Sequence, residues 1–159
     1  MAFHTIGKSE FRRDLPEKLT GEAKYTSDVQ LPGMLWGKIL RSPVPHALIQ
    51  SVDSTSVLNV PGVHSVVTPF DVPQGPVAPD MSILDTEVRY VGDEIAAIAA
   101  EDEDLAESAL SLIQVQFELL PFVTDAREAL KVGAPKARLG GNLVGGKPLT
   151  LARGSIKEG

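Results

Sequence analysis

Residues able to do chemistry are few and scattered in this chain. The stretch Gly141-Asn142-Leu143-Val144-Gly145-Gly146-Lys147 has the spacing of a phosphate-binding loop up to its last position. Such a loop needs Ser or Thr next, to hold magnesium, and a helix whose N-terminus faces the phosphates. Pro148 stands there instead, so the stretch reads as a linker. His4, His46 and His64 are the only imidazoles, and none lies at metal-ligand spacing from another. They are expected to be separate hydrogen-bonded or surface residues. Asp93-Glu94 and Glu101-Asp102-Glu103-Asp104 bring carboxylates together in sequence. Acid–base catalysis needs two carboxyls in different environments across a cleft. Neighbours on a strand point to opposite faces, so Asp93 and Glu94 should diverge. The second run reads as a solvated helix cap. There is no cysteine, which excludes disulfides, thiolate zinc sites and iron–sulfur ligation by this chain. No Gly-x-Ser-x-Gly elbow occurs. Trp36 could stack a ligand, but it reads first as a core residue.

The elements that must position these residues are short. A length of 159 residues suits one domain, or one domain with a tail. Net charge is −6 and the basic residues form no stripe, so no nucleic-acid partner is expected. No apolar run approaches the ~18 residues of a membrane span, and no membrane partner is expected. The first residues lack a basic patch followed by an apolar stretch, so no secretory signal is expected and a cytoplasmic location is.

Residues 1–24 are polar and aperiodic, and read as an extended arm. Strands are expected over 35–40, with Gly37 allowing a bulge or a close backbone approach, and over 46–52. Asp53 or Ser54 can cap a short helix over 55–60, which Pro61-Gly62 stops. A strand over 63–68 precedes a long loop over 70–87. Strands over 88–91 and 94–100 follow. Asp102 caps the best-specified helix, with Leu105, Ala106, Ala109, Leu112 and Ile113 as its apolar stripe. After a strand over 115–119, Asp125 and Glu128 resemble a capping box for a helix over 126–131, ended by Gly133. From residue 134 onward, Gly and basic residues replace the pattern. The pattern is α+β, with mixed short strands and two main helices.

Taken in order, the segments resemble a known family. Arg13-Asp14 and Lys18-Leu19-Thr20-Gly21-Glu22-Ala23-Lys24-Tyr25 look like the opening of molybdenum hydroxylase catalytic subunits, the xanthine dehydrogenase and aldehyde oxidase family. Gly33-Met34-Leu35-Trp36-Gly37-Lys38-Ile39-Leu40-Arg41-Ser42-Pro43 and His46-Ala47 resemble its first strand and turn. Val60-Pro61-Gly62-Val63, Val66-Val67-Thr68 and Asp71-Val72-Pro73 continue in order. Val88-Arg89-Tyr90-Val91-Gly92-Asp93-Glu94 and Phe117-Glu118-Leu119-Leu120-Pro121 complete the set. Each piece is weak alone, and the order and spacing carry the resemblance.

The resemblance implies an α/β-hammerhead over 25–135, between an arm over 1–24 and a linker over 136–159 toward a molybdopterin-binding domain. It implies an oxidoreductase that hydroxylates, or in some members reduces, a carbon centre. Molybdopterin, iron–sulfur clusters and often FAD would sit on other domains or chains, and those are the implied partners. This chain is expected to bind none of these cofactors, to lack the catalytic centre and to be inactive alone. The loop before residue 88 would line the substrate channel, with Pro76, Val77, Met81 and Ile83 as an apolar wall. The alternative is a free-standing ligand-binding or adaptor domain of the same fold.

Overall fold

The computed structural model describes residues 4–75, 82–138, 140–147, 149–151 and 153–155. The chain divides into two compact units, Met1–Met34 and Leu35–Gly159.

The first unit carries helix α1, Leu15–Thr20, within the stretch expected to be extended. Pro16 presets the helical φ in its first turn, and Gly21 ends it with a left-handed φ of 78°. Asp14 does not cap the helix. Its carboxylate binds the Arg12 guanidinium at 2.8 Å and the Lys18 ammonium at 2.5 Å. Those two contacts, Arg12 first, hold its pKa down at about 2. Among the described residues of this unit none is buried.

The second unit holds two three-stranded antiparallel sheets. Strands β1 (Trp36–Arg41) and β3 (Val63–Val67) flank β5 (Glu94–Ala100) in one. Strands β4 (Glu87–Val88) and β6 (Gln114–Leu119) flank β2 (Ala47–Asp53) in the other. This is the α+β architecture expected. Helix α3, Glu103–Leu110, packs on the first sheet. Asp102 Oδ1 accepts the Asp104 and Leu105 N–H groups at 2.9 and 3.1 Å, so the expected cap forms. Lys38 of β1 reaches Glu103 at 2.9 Å and Glu107 at 3.4 Å, tying helix to sheet.

Small side chains let these layers approach. Ala96 and Ala100 of β5 and Ala106 and Ala109 of α3 are all buried in one core cluster with Ile98, Ala47, Ile49, Val57 and Val88. The register opposite β1 breaks between Leu40 and Arg41. There β5 carries one extra residue, and the consecutive Ile95 and Ala96 are both buried. A regular strand would turn one of them outward. The bulge therefore lies here and not at Gly37.

Several expected elements are shorter. Helix α2, Thr55–Leu58, has one turn anchored by fully buried Val57. Helix α4, Ala126–Ala129, also has one turn. Asp125 caps it, but the Glu128 carboxylate pairs with Lys131 instead of closing the box. It buries no residue, so no packing extends it. Helix α3 runs two turns and stops before Leu112, which is exposed, while Ile113 is buried. Trp36 is not a core residue within this chain: it begins an edge strand and is 37% exposed. The strand expected over 88–91 ends at Val88. The Asp93 carboxylate takes the Arg89 N–H at 2.8 Å and draws the chain into a turn.

Candidate functional site

The densest polar cluster sits where β2, β4 and the end of β6 meet. His46 stands just before β2 and is 8% exposed. Its Nδ1 lies 2.8 Å from the Pro121 carbonyl oxygen, and its Nε2 lies 2.9 Å from Glu87 Oε1. Arg89 donates from Nη2 to the other Glu87 oxygen at 2.9 Å, and from Nη1 to Asp85 at 2.8 Å and to the Glu87 carbonyl at 3.1 Å. Asp85 also accepts the Glu87 N–H at 3.2 Å. Asp85, Glu87, Arg89 and His46 thus form one chain of bonds with no buried side-chain polar atom left unpaired among the described residues.

The electrostatics follow from these contacts. Both atoms facing the His46 ring are acceptors, so only the imidazolium donates to both. The Glu87 hydrogen bond is the chief cause holding the His46 pKa above its ordinary 6.5, against burial and the Arg89 charge. Burial pushes the Asp85 carboxyl up, yet the Arg89 bond and the backbone N–H groups of Glu87 and Thr86 outweigh it. Its pKa lies below the ordinary carboxylate value. Arg89 is raised: burial lowers it, and Asp85, Glu87 and Asp93 more than compensate.

A cleft of about 320 Å³ opens beside the cluster. His46, Arg89, Tyr90, Phe122 and Lys136 contribute to its wall. His46 has no free ring nitrogen, so it cannot serve there as a general base. Through these bonds the cluster fastens the β4 segment to His46 and the end of β6.

The other sequence candidates are dispersed. Asp93 accepts the Arg89 and Glu94 N–H groups in the turn before β5, whereas Glu94 pairs with Arg41 at 2.8 Å. Strand alternation does not separate the two, because β5 begins at Glu94 and the Tyr90 hydroxyl meets both carboxylates. In the acidic run, Glu101 meets His64 at 3.0 Å, Asp102 caps α3 and Glu103 binds Lys38. The glycine-rich stretch forms only a single tight turn over Val144–Gly146. Asn142 within it accepts the Ala137 N–H at 2.8 Å and donates to the Ala129 and Pro135 carbonyls at 2.9 and 2.8 Å. Its role is to fasten backbone, with its whole amide engaged. Among the expected channel residues, Ile83 is 59% exposed, and Pro76, Val77 and Met81 lie outside the described residues. Among the described residues, no three His, Asp or Glu side chains converge to hold a metal.

Sequence reasoning treated His46 as separate and did not connect it to Glu87 and Arg89. One signal was available. Asp85, Glu87 and Arg89 recur with period two, which puts them on one face of an extended segment. Nothing in the sequence placed His46 opposite them.

Residues 20–121 match the family model described as aldehyde oxidase and xanthine dehydrogenase, a/b hammerhead domain. The chain is 44% identical over 156 residues to a probable xanthine dehydrogenase subunit of Bacillus subtilis, covering 95% of this chain and 21% of that one. It is 33% identical to the xanthine dehydrogenase molybdenum-binding subunit of Escherichia coli O157:H7, covering 92% and 21%. In three dimensions it is similar to the aldehyde oxidoreductase from Desulfovibrio gigas, with a TM-score of 0.73, 30% identity, and coverage of 81% and 16%. It is also similar to the CO dehydrogenase from Oligotropha carboxidovorans, with a TM-score of 0.72, 32% identity, and coverage of 81% and 17%. The chain spans about a fifth of the length of the curated relatives it matches.

Proposed function

The chain belongs to the aldehyde oxidase and xanthine dehydrogenase a/b hammerhead family, and we propose that it is a packing and interface module of a molybdenum-dependent oxidoreductase, without the catalytic centre. The observation that carries this reading is unspent apolar surface. The first unit buries none of its described residues, while Phe11, Leu19 and Leu31 are 76%, 77% and 65% exposed. Apolar area of this kind is stabilised by being covered, at roughly 25 cal/mol per Å². By register, Gly37, Ile39, Ala97, Ala99 and Val67 share the sheet face opposite the one on which Lys38 meets α3. Ile39 is 43% exposed there. Molybdopterin-binding domains of a large subunit, with iron–sulfur and flavin subunits, are the partners this reading implies.

The residues present do not fit a molybdopterin centre. Among the described residues there is no metal-holding cluster, and the glycine-rich turn follows α4 with no strand directly before it and no helix after it. No chemical step is assigned to this chain. Its contribution to the reaction would be the shape of the approach. The loop before β4, with Pro76, Val77, Met81 and Ile83, would form an apolar wall of the substrate passage. Support for this is the exposed Ile83 side chain on a segment that the β4 pairing and the Glu87 bond to His46 fasten to β2.

A chimera tests both parts. This chain would replace the matching fifth of the Bacillus subtilis relative. The chimera is expected to retain molybdenum by elemental analysis, and the relative's activity. A folded chimera that loses its molybdenum, or stoichiometric molybdenum in this chain purified alone, defeats the module reading. Val77→Trp in the chimera is expected to raise KM more for large substrates than for small ones. An unchanged KM for both discards the passage.

A further inference from the structure

We propose that His46 is a pH-sensitive clasp, which as an imidazolium fastens the segment 82–93 to the end of the β2–β6 pair and releases it on losing a proton.

The geometry is restrictive. A neutral imidazole has one N–H, and this ring faces two acceptors, the Pro121 carbonyl at 2.8 Å and the Glu87 carboxylate at 2.9 Å. The carbonyl never donates. Loss of the ring proton therefore sets a lone pair against an acceptor oxygen on one side or the other, in a site 8% exposed. The Glu87 side is the weaker fastening. Strand β4 has only two residues, paired Ala47↔Val88 and Leu48↔Glu87, with the Ile49 N–H to Thr86 carbonyl bond of 2.7 Å beside them. The Pro121 side is braced by the Leu120 N–H on the His46 carbonyl at 3.0 Å.

The charged and titratable groups around the ring are few. Glu87 on β4 favours the cation. Arg89, just beyond β4, opposes it. Asp85 lies one bond further, on Arg89. Tyr90 and Lys136 share the adjoining cleft wall. Their balance leaves the folded His46 pKa above 6.5. The sign follows: the clasp's contribution is fully present below the unfolded value and is lost as pH rises through the folded one. For each unit separating the two values, protection of the fastened segment falls about tenfold across the transition.

Nuclear magnetic resonance of the whole chain between about pH 5.5 and 8.5 reads both ends of this linkage. The His46 ring nitrogens report protonation. Amide exchange at Ile49, whose N–H bonds the Thr86 carbonyl, corrected for its intrinsic pH dependence, reports the fastening. The ring is expected to be doubly protonated at pH 6, with protection falling at the same midpoint at which it titrates. Glu87→Gln keeps an acceptor but removes the charge, so both midpoints should move down together. A ring already neutral at pH 6, unchanged protection on either side of its midpoint, or an unmoved midpoint in E87Q overturns the proposal.

Discussion

Gly62→Ala should destabilise the second unit by an amount that can be assembled from two separate causes. Gly62 turns the chain between α2 and β3 with φ of +87°. An alanine in that left-handed region costs roughly 1 kcal/mol. The new Cβ would also lie 2.8 Å from Leu105 Cδ2. Leu105 packs against the buried cluster, so its methyl cannot move without disturbing neighbours. The end of a side chain can still rotate, which puts the overpacking near the low end of its range, at about 1–2 kcal/mol. The Gly62 carbonyl also accepts the Glu101 N–H at 2.9 Å and resists a shift of the turn. The sum is about 2–3 kcal/mol, which lowers a urea midpoint by about 1–2 M for a chain of this size. Gly133→Ala is the control. Its φ is +83°, and a Cβ there meets nothing within 4 Å. It carries the conformational cost alone, about 1 kcal/mol. If the two variants lose the same stability in urea, the contact with Leu105 contributes nothing and the reasoning about a close helix–turn packing is wrong.

Further outcomes rest on other contacts. Asp102→Ala removes the acceptor of two N–H groups at the start of α3, and should lower stability by about 1 kcal/mol with loss of helical signal in circular dichroism. Val57→Ala empties a site that is 0% exposed, at a cost of roughly 2 kcal/mol by chemical denaturation, and a loss below about 0.5 would contradict its anchoring of α2. Arg89→Leu strips Asp85 and Glu87 of their shared donor and should cost roughly 2 kcal/mol at pH 7, the side chain being 30% exposed. Asp85 titrates below its ordinary 3.8, so its share of stability is present above that value and fades as pH falls through the folded one. The Arg89→Leu penalty should therefore shrink in acid, and a penalty constant from pH 7 to about pH 3 would argue against the pairing.

Elements specified by local chemistry were legible in the sequence. The α3 cap, the alanine-rich β5 and the Gly62 turn each follow from residues a few positions apart. Strand β2 was legible in extent but not in its faces, because its register with β6 shifts between Ile49 and Ser51 and no local pattern announces that break. Strand β4 ends at Val88, and just beyond it the Asp93 carboxylate takes the Arg89 N–H in a turn that pairs residues four apart, a contact no strand pattern announces. The family was legible because order and spacing over 20–121 carry more information than any single motif. The His46 cluster was not, since it needs Pro121 and Glu87 to arrive from opposite sides of a sheet that does not exist until the chain folds.

The four alanines between β5 and α3 set a further constraint. Ala96, Ala100, Ala106 and Ala109 leave little side-chain bulk around Ile98 in this layer, so its thickness follows from how closely helix and sheet can sit. A larger residue at any one position must be matched by a smaller one across from it, and glycine is the only smaller residue. Descendants of this sequence can rearrange the bulky rim around that layer freely, but within it methyl groups can be traded and not added.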